Sequence, residues 1–229
     1  SGGQVGDVGN FSIQDAVIKI TDTKKENDLI VHFTDEIPAN LGGEVLATVD
    51  ASVRSKTTIH HSATHLLQAA LQQVLGKHIA QKGSLNNSEY LRFDFSHFAK
   101  MTQEEIVQVE NLVNEKIRQN IPVVIKEMAK DDAMKLGAMA LFGEKYGDTV
   151  RVVIMDENYS IELCGGTHVG STGELGLFKI TSEGAVAAGV RRVEAVCGEL
   201  ALQLVNEKFN ELAEVREALK QPKDTVKSI

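Results

Sequence analysis

Apolar side chains recur every three to four residues through 54–75 (RSKTTIHHSATHLLQAALQQVL). Ile59, Ala63, Leu66, Leu67, Ala70, Leu71, Val74 and Leu75 share a face, which predicts a buried helix that Gly76 stops. The same period returns in TQEEIVQVENLVNEKIRQN. There Thr102 and Glu105 have capping-box spacing, and Ile106, Val109, Leu112, Val113 and Ile117 would face a core. From Glu199 a last helix carries Leu202, Val205, Phe209, Leu212 and Leu219 as far as Pro222. It either docks onto its own domain or runs on as a linker or helical hairpin. Elsewhere the period drops towards two: EYLRFDF, PVVIKEM, TVRVVIMD, YSIEL, ELGLFKITSE and VRRVEAV read as strands. Ahead of the first helix, FSIQDAVIKI, DLIVHFT and EVLATVD also read as strands, separated by the polar turn TDTKKEND and a loop over 38–43.

These elements predict an α+β chain in three parts. Residues 1–53 form a small β-barrel-like module, and 54–198 a core of long helices packed on an antiparallel-rich sheet. Residues 199–229 form a C-terminal helix or linker. Composition agrees: 229 residues with 42% hydrophobic and 24% charged side chains can bury a sizeable core. No apolar run approaches membrane-spanning length and no signal peptide is visible, so no membrane partner is expected. Two distant cysteines make no disulfide framework, which suits a reducing, cytoplasmic setting. A net charge of −8 argues against a surface that grips nucleic acid non-specifically.

The chemistry concentrates in two pairs, His61-Ser-Ala-Thr-His65 and Cys164-Gly-Gly-Thr-His168. On a helix, i and i+4 side chains share a face about 5–6 Å apart, within reach of one ion. Either pair alone arises easily by chance. The chain has only seven histidines and two cysteines, however, so two such pairs make a shared metal site the better reading. Three imidazoles and a thiolate suit tetrahedral zinc. Adjacent glycines cost a helix about 2 kcal/mol, so CGGTH belongs on a turn at the end of the YSIEL strand. Gly165 and Gly166 serve either that turn or close approach of a ligand. Four protein donors fill a tetrahedral shell. The metal is therefore structural, or one ligand is loose, or Cys164 or a histidine acts without metal. A zinc protease is disfavoured because HSATH lacks the glutamate after its first histidine. His32, His60, His78 and His97 carry no partner motif, and Cys197 reads as a small buried strand residue. No phosphate-binding G-x-x-x-x-G-K-[ST] occurs, and SGGQVGDVG leads into strands, not a helix.

Taken together, SGGQVGDVG (1–9), HHSATHLLQAAL, KGS (82–84), RFDF (92–95), ALFGEKYG (140–147), ELCGGTH (162–168) and GVRRVEAV (189–196) resemble the editing domain of the alanyl-tRNA synthetase family. The likeness runs in order over nearly the whole chain. Threonyl-tRNA synthetases and free-standing alanyl-tRNA editing proteins share the HxxxH…CxxxH core, while SGGQVGDVG and ALFGEKYG favour the alanyl domain. Ser1 then falls inside a loop, as in a piece of a longer protein with its ATP site upstream. The resemblance implies an aminoacyl-tRNA ester hydrolase with zinc on His61, His65, Cys164 and His168. It would act on the acceptor end of tRNA(Ala) carrying serine or glycine, alongside the rest of the synthetase.

Roles follow as expectations. Cys164 and His65 are the candidates for catalysis; Gln81, Thr64, Gly165, Gly166 and Thr167 for holding the substrate; Asp94 for the carboxylate behind a histidine. Lys82, Arg191 and Arg192, with Lys77, are the candidates for contacting tRNA. Neighbouring strand residues point oppositely, so one arginine would face the site and the other a salt bridge. A serine-editing pocket must recognise the hydroxyl, because an alanyl group would leave its polar partner unpaired. The competing readings are a free-standing trans-editing hydrolase and a non-catalytic, zinc-stabilised tRNA-binding module.

Overall fold

Helix α1 (Ala51–Leu75) runs through the centre of the main core, with every side chain from His60 to Leu71 buried. It starts three residues ahead of the apolar stripe because Asp50 caps it, accepting the Val53 N–H at 3.0 Å. Gly76, at φ 114°, ends it. The computed structural model describes residues 3–27, 29–37, 42–140 and 146–218. The last-helix positions Leu219 and Pro222, most of the 38–43 loop and residues 141–145 of ALFGEKYG lie outside them.

Against α1 pack α2 (Gln103–Arg118) and a four-stranded antiparallel sheet. Its order is β11 (Phe178–Ala187), β12 (Val190–Cys197), β7 (Leu91–Ser96), β6 (Gln81–Asn86). Leu91, Phe93 and Phe95 alternate into the core, joined by Val193, Ala195 and Cys197 of β12. Each leucine, phenylalanine or valine among them contributes about 1.5–3 kcal/mol of burial. The Thr102/Glu105 capping box forms in both directions, at 3.1 and 2.8 Å, and Val109, Val113 and Ile117 are buried as predicted.

A second antiparallel sheet orders β10 (Ile161–Leu163), β9 (Thr149–Ile154), β8 (Val124–Ala129), with a short, unpredicted helix α3 (Lys130–Lys135) beside it. Strand β9 is buried on both faces, Val153 in the main core and Val152 and Ile154 in a smaller one. It therefore fixes where the chain leaving β10 must go.

The N-terminal module departs from the expected barrel: among the described residues it holds no closed barrel. A three-stranded sheet orders β2 (Ala16–Ile20), β1 (Gly9–Ile13), β5 (Val45–Val49), next to a separate hairpin of β3 (Asp22–Glu26) and β4 (Leu29–Phe33). FSIQDAVIKI is two strands folded at Gln14, whose φ is 51°. The supposed turn TDTKKEND contains β3, a polar strand held by pairing with β4. ELGLFKITSE begins as a 3-10 turn (Thr172–Leu175) and becomes strand only at Phe178, after Gly176 turns at φ 66°.

Residues 3–6 run parallel to β6: Val5 N–H donates to the Asn86 carbonyl at 3.0 Å and Asn86 N–H to the Gly3 carbonyl at 2.8 Å. A Cβ at Gly3 would overlap Ser84, and one at Gly6 the Thr23 carbonyl, so backbone contact accounts for these glycines. Helix α4 (Glu199–Ala218) docks only by its first turns. Ala201 is its one buried side chain among the described residues, and Leu202 and Phe209 are 54% and 67% exposed. No helix among the described residues is long and apolar enough to cross a membrane.

Candidate metal centre

The two pairs converge. His61 and His65 project from one face of α1; Cys164 follows the last residue of β10, and His168 lies four residues on in a non-helical loop. One donor atom from each of the four lies within 4.8 Å of all the others. Cys164 Sγ is 3.5 Å from His61 Nε2 and 3.4 Å from His168 Nε2. The His61 and His168 rings stack at 4.4 Å, and the His65 ring is 4.5 Å from that of His168. His61, His65 and Cys164 are buried.

The donor chemistry fits a metal ion, zinc included. His61 Nδ1 faces the Thr167 carbonyl at 3.2 Å, an acceptor that requires Nδ1–H and leaves the Nε2 lone pair towards Cys164. His168 Nδ1 lies 3.1 Å from Ser62 Oγ, which also accepts the Val169 N–H at 3.1 Å. Among the described residues His65 Nδ1 is buried with no hydrogen-bond partner, an expensive arrangement that a bound ion would relieve. Its Nε2 lies 3.6 Å from the Glu162 carboxyl.

Burial sets the protonation. It lowers His61 to about 4 and His168 to about 2, the latter helped by the neighbouring His61, and it holds His65 well below its usual value. All three imidazoles are thus neutral and ready to ligate near pH 7. Burial raises the Cys164 thiol, an effect eased by the Gly166 N–H at 3.4 Å, and lifts Glu162 to about 8. For the metal-free protein the sign follows from linkage. Histidines with depressed folded pKa values contribute stability above the unfolded value of about 6.5 and lose it as pH falls. Glu162 works the other way: its contribution is complete below about 4.5 and is lost as pH rises through about 8. The histidines outnumber it, so the urea midpoint of the metal-free chain should fall as pH drops from 6.5 to 4. A midpoint flat across that window would contradict the burial described here.

The loop is held from three sides. Arg151 on β9 donates through Nη1 to the Cys164 and Gly166 carbonyls at 2.6 and 2.8 Å, and its own carbonyl accepts the Cys164 N–H. Gln4 bonds to Thr167, whose hydroxyl also lies 2.8 Å from that of Thr58. A Cβ at Gly166 would overlap the His61 ring, so glycine here answers the close approach of that ring. Glu162, Arg151, Ser62 and Gln4 were not singled out in the sequence. Glu162 alone left a signal, as a carboxylate between two apolar strand residues in IEL.

The other expected residues have these surroundings. Asp94 is not behind a histidine: it forms a two-point ion pair with Arg192 at 2.6 and 2.9 Å. Arg191 pairs with Glu183 at 2.5 Å, so both arginines are held by carboxylates. Thr64 is buried, its hydroxyl 2.6 Å from Asn86 Oδ1. Gln81 opens β6 opposite Phe95, and Lys82 follows it, exposed. His60 is a core residue: Nδ1 meets the Asn87 carbonyl at 2.8 Å and Nε2 accepts the Cys197 N–H at 3.2 Å. Cys197 is buried, which pushes its thiol pKa up. Gly165, Gly166 and Thr167 do sit at the cluster, and they border a groove of about 790 Å³ also lined by Gln4, Lys25 and Arg54.

Comparison with known proteins adds a family. A family model for the threonyl and alanyl tRNA synthetase second additional domain matches residues 150–194. The chain is 55% identical over 230 residues to an alanine–tRNA ligase of Cytophaga hutchinsonii, covering 100% of this chain and 26% of that protein. It is 50% identical over 228 residues to one of Pseudomonas fluorescens (99% and 26%), and 51% identical over 227 to one of Rickettsia rickettsii (98% and 26%). The chain therefore spans about a quarter of the length of the relatives it matches.

Proposed function

Since the chain belongs to the alanyl-tRNA synthetase family, we propose that it is that family's editing part, an ester hydrolase that removes serine or glycine from mischarged tRNA(Ala). The observation that carries this is the convergence of His61, His65, Cys164 and His168 on one buried point. On this reading the four residues hold zinc, whose chemistry there would be to polarise the ester carbonyl and acidify water towards a pKa of about 7. The chain's residues do the rest. Thr167 and Ser62 orient the rings of His61 and His168. The Gly165–Gly166 backbone borders the groove from which the ester would reach the cluster. Glu162 lies 3.6 Å from His65 Nε2, placed to accept its N–H and fix that ring. Water adds to the ester carbonyl carbon, and the ribose oxygen leaves with a proton.

The groove bordered by Gly165–Thr167 is the proposed seat of the terminal nucleotide, with Lys25 and Arg54 in its wall and Lys82 on the neighbouring strand. Arg191 and Arg192, paired with Glu183 and Asp94, are the other proposed tRNA contacts. Of the groups expected to meet the amino acid, Thr64 and Thr167 are occupied by protein partners. Gln81 and the glycine peptides remain. The cytoplasm is the proposed setting, and the rest of a synthetase the proposed intramolecular partner.

The test is deacylation by the purified chain at low ionic strength, because a net charge of −8 weakens tRNA binding and salt weakens it further. Seryl- and glycyl-tRNA(Ala) should be hydrolysed and alanyl-tRNA(Ala) largely spared. A chelator should remove the activity, and alanine-dependent ATP–pyrophosphate exchange should be absent. tRNA binding without deacylation would favour the non-catalytic zinc module, and equal rates on seryl- and alanyl-tRNA would sink hydroxyl recognition.

A further inference from the structure

We propose that Gln4 is a positioning residue for the metal centre, acting through the Thr167 peptide on the ring of His61. The inference rests on the reading that the cluster holds zinc. The Gln4 carboxamide meets Thr167 in three places. Its Oε1 accepts the Thr167 N–H at 2.9 Å, while Nε2 donates to Thr167 Oγ1 at 2.7 Å and, more weakly, to the Thr167 carbonyl at 3.3 Å. That same carbonyl faces His61 Nδ1 at 3.2 Å. The peptide that fixes the tautomer and rotation of His61 is therefore itself fixed by Gln4. Thr167 also immediately precedes His168, so displacing its peptide displaces a second donor.

For a glutamine to set a position, its own backbone must be held, and here it is held from two sides. Val5 N–H and the Gly3 carbonyl bond to Asn86 of β6. Arg54, on α1 two turns ahead of His61, donates to the Val5 carbonyl at 2.9 Å and to Asp7 at 2.5 Å. Helix α1 thus reaches the metal loop twice, once through its histidines and once through Arg54, the 3–7 segment and Gln4. Outer partners of this kind typically change metal affinity by about 10–100-fold when removed.

The experiment compares the wild-type chain with Gln4→Met, which keeps length and apolar bulk but loses all three bonds. Zinc affinity is read by chelator competition, and cobalt(II) replaces zinc to report coordination through its absorption bands. Gln4→Met should bind zinc about tenfold more weakly and shift the cobalt bands, while the circular dichroism spectrum of the zinc-free protein stays that of the wild type. Thr167→Ala removes one bond of the three together with the Thr58 contact, and Thr58→Val removes that contact alone; a smaller loss in the same direction, present in Thr167→Ala beyond that of Thr58→Val, keeps the inference testable if Gln4→Met does not fold. Wild-type affinity with unshifted bands would overturn the proposal. So would a loss confined to KM for seryl-tRNA at normal zinc affinity, which would make Gln4 a substrate contact. Absence of zinc binding by the wild type would instead strike the metal reading, a failure separable because both proteins would share it.

Discussion

Replacing Cys164 with alanine should strip the cluster of its only anionic donor and lower seryl-tRNA deacylation by at least about tenfold, the lower end of the range for lost metal-site support. Three neutral imidazoles remain, but none supplies the charge that a thiolate gives zinc. The fold should survive. The core is built on Phe93, Phe95, Phe178 and the leucines of α1, and Cys164 lies on a loop at its margin with Arg151 holding the backbone. Zinc content after desalting and the thermal midpoint separate the two effects. Normal hydrolysis with normal zinc content would exclude Cys164 from both coordination and catalysis.

Gly166→Ala should be comparably severe for a purely steric reason. Gly166 is not in the left-handed region, so its backbone conformation suits alanine. The added methyl, however, would occupy the edge of the His61 ring and come within 2.9 Å of Gln4 Oε1. Either the ring or the loop must move, and a shift of about 1 Å at a reacting site can cost roughly a hundredfold in rate. We expect at least about a tenfold loss in both zinc affinity and deacylation. Gly184→Ala on β11 is the control, since nothing lies within 4 Å of its added Cβ. Equal behaviour of the two variants would show that the close approach of His61 to the loop carries no functional weight.

The donors and the long helices were legible because their information is local. Four-residue spacings mark His61/His65 and Cys164/His168, and three-to-four periodicity marks α1 and α2. What escaped is information held jointly by distant residues. Arg151 and Gln4 look like ordinary polar side chains until the fold sets them against Cys164 and Thr167, the latter 163 positions from Gln4. Asp94 was misassigned because a carboxylate's partner is chosen across a sheet, and register places Arg192 opposite it on β12. Strand β3 hid because its polar face is solvated on one side and paired on the other, leaving no alternation to read. Helix α4 showed the limit of periodicity itself: a repeating apolar stripe does not say whether a partner covers it, and here most of the stripe lies bare.

The distance along the chain between the two halves of the cluster has a mechanical consequence. His65 and Cys164 are about a hundred residues apart, so an ion gripping both would tie off a loop spanning most of the central core. In the chain-entropy picture a permanent covalent link around a loop of that size is worth nearly 5 kcal/mol, by removing freedom from the unfolded chain. A coordinated ion is a releasable version of such a link. Its stitch cannot close until the chain has been made through His168, after α1, α2 and the β8–β9–β10 sheet but before β11 and β12 complete the main sheet. Metal loading would then tie α1 to the 164–168 loop, and demetallation would loosen the two together.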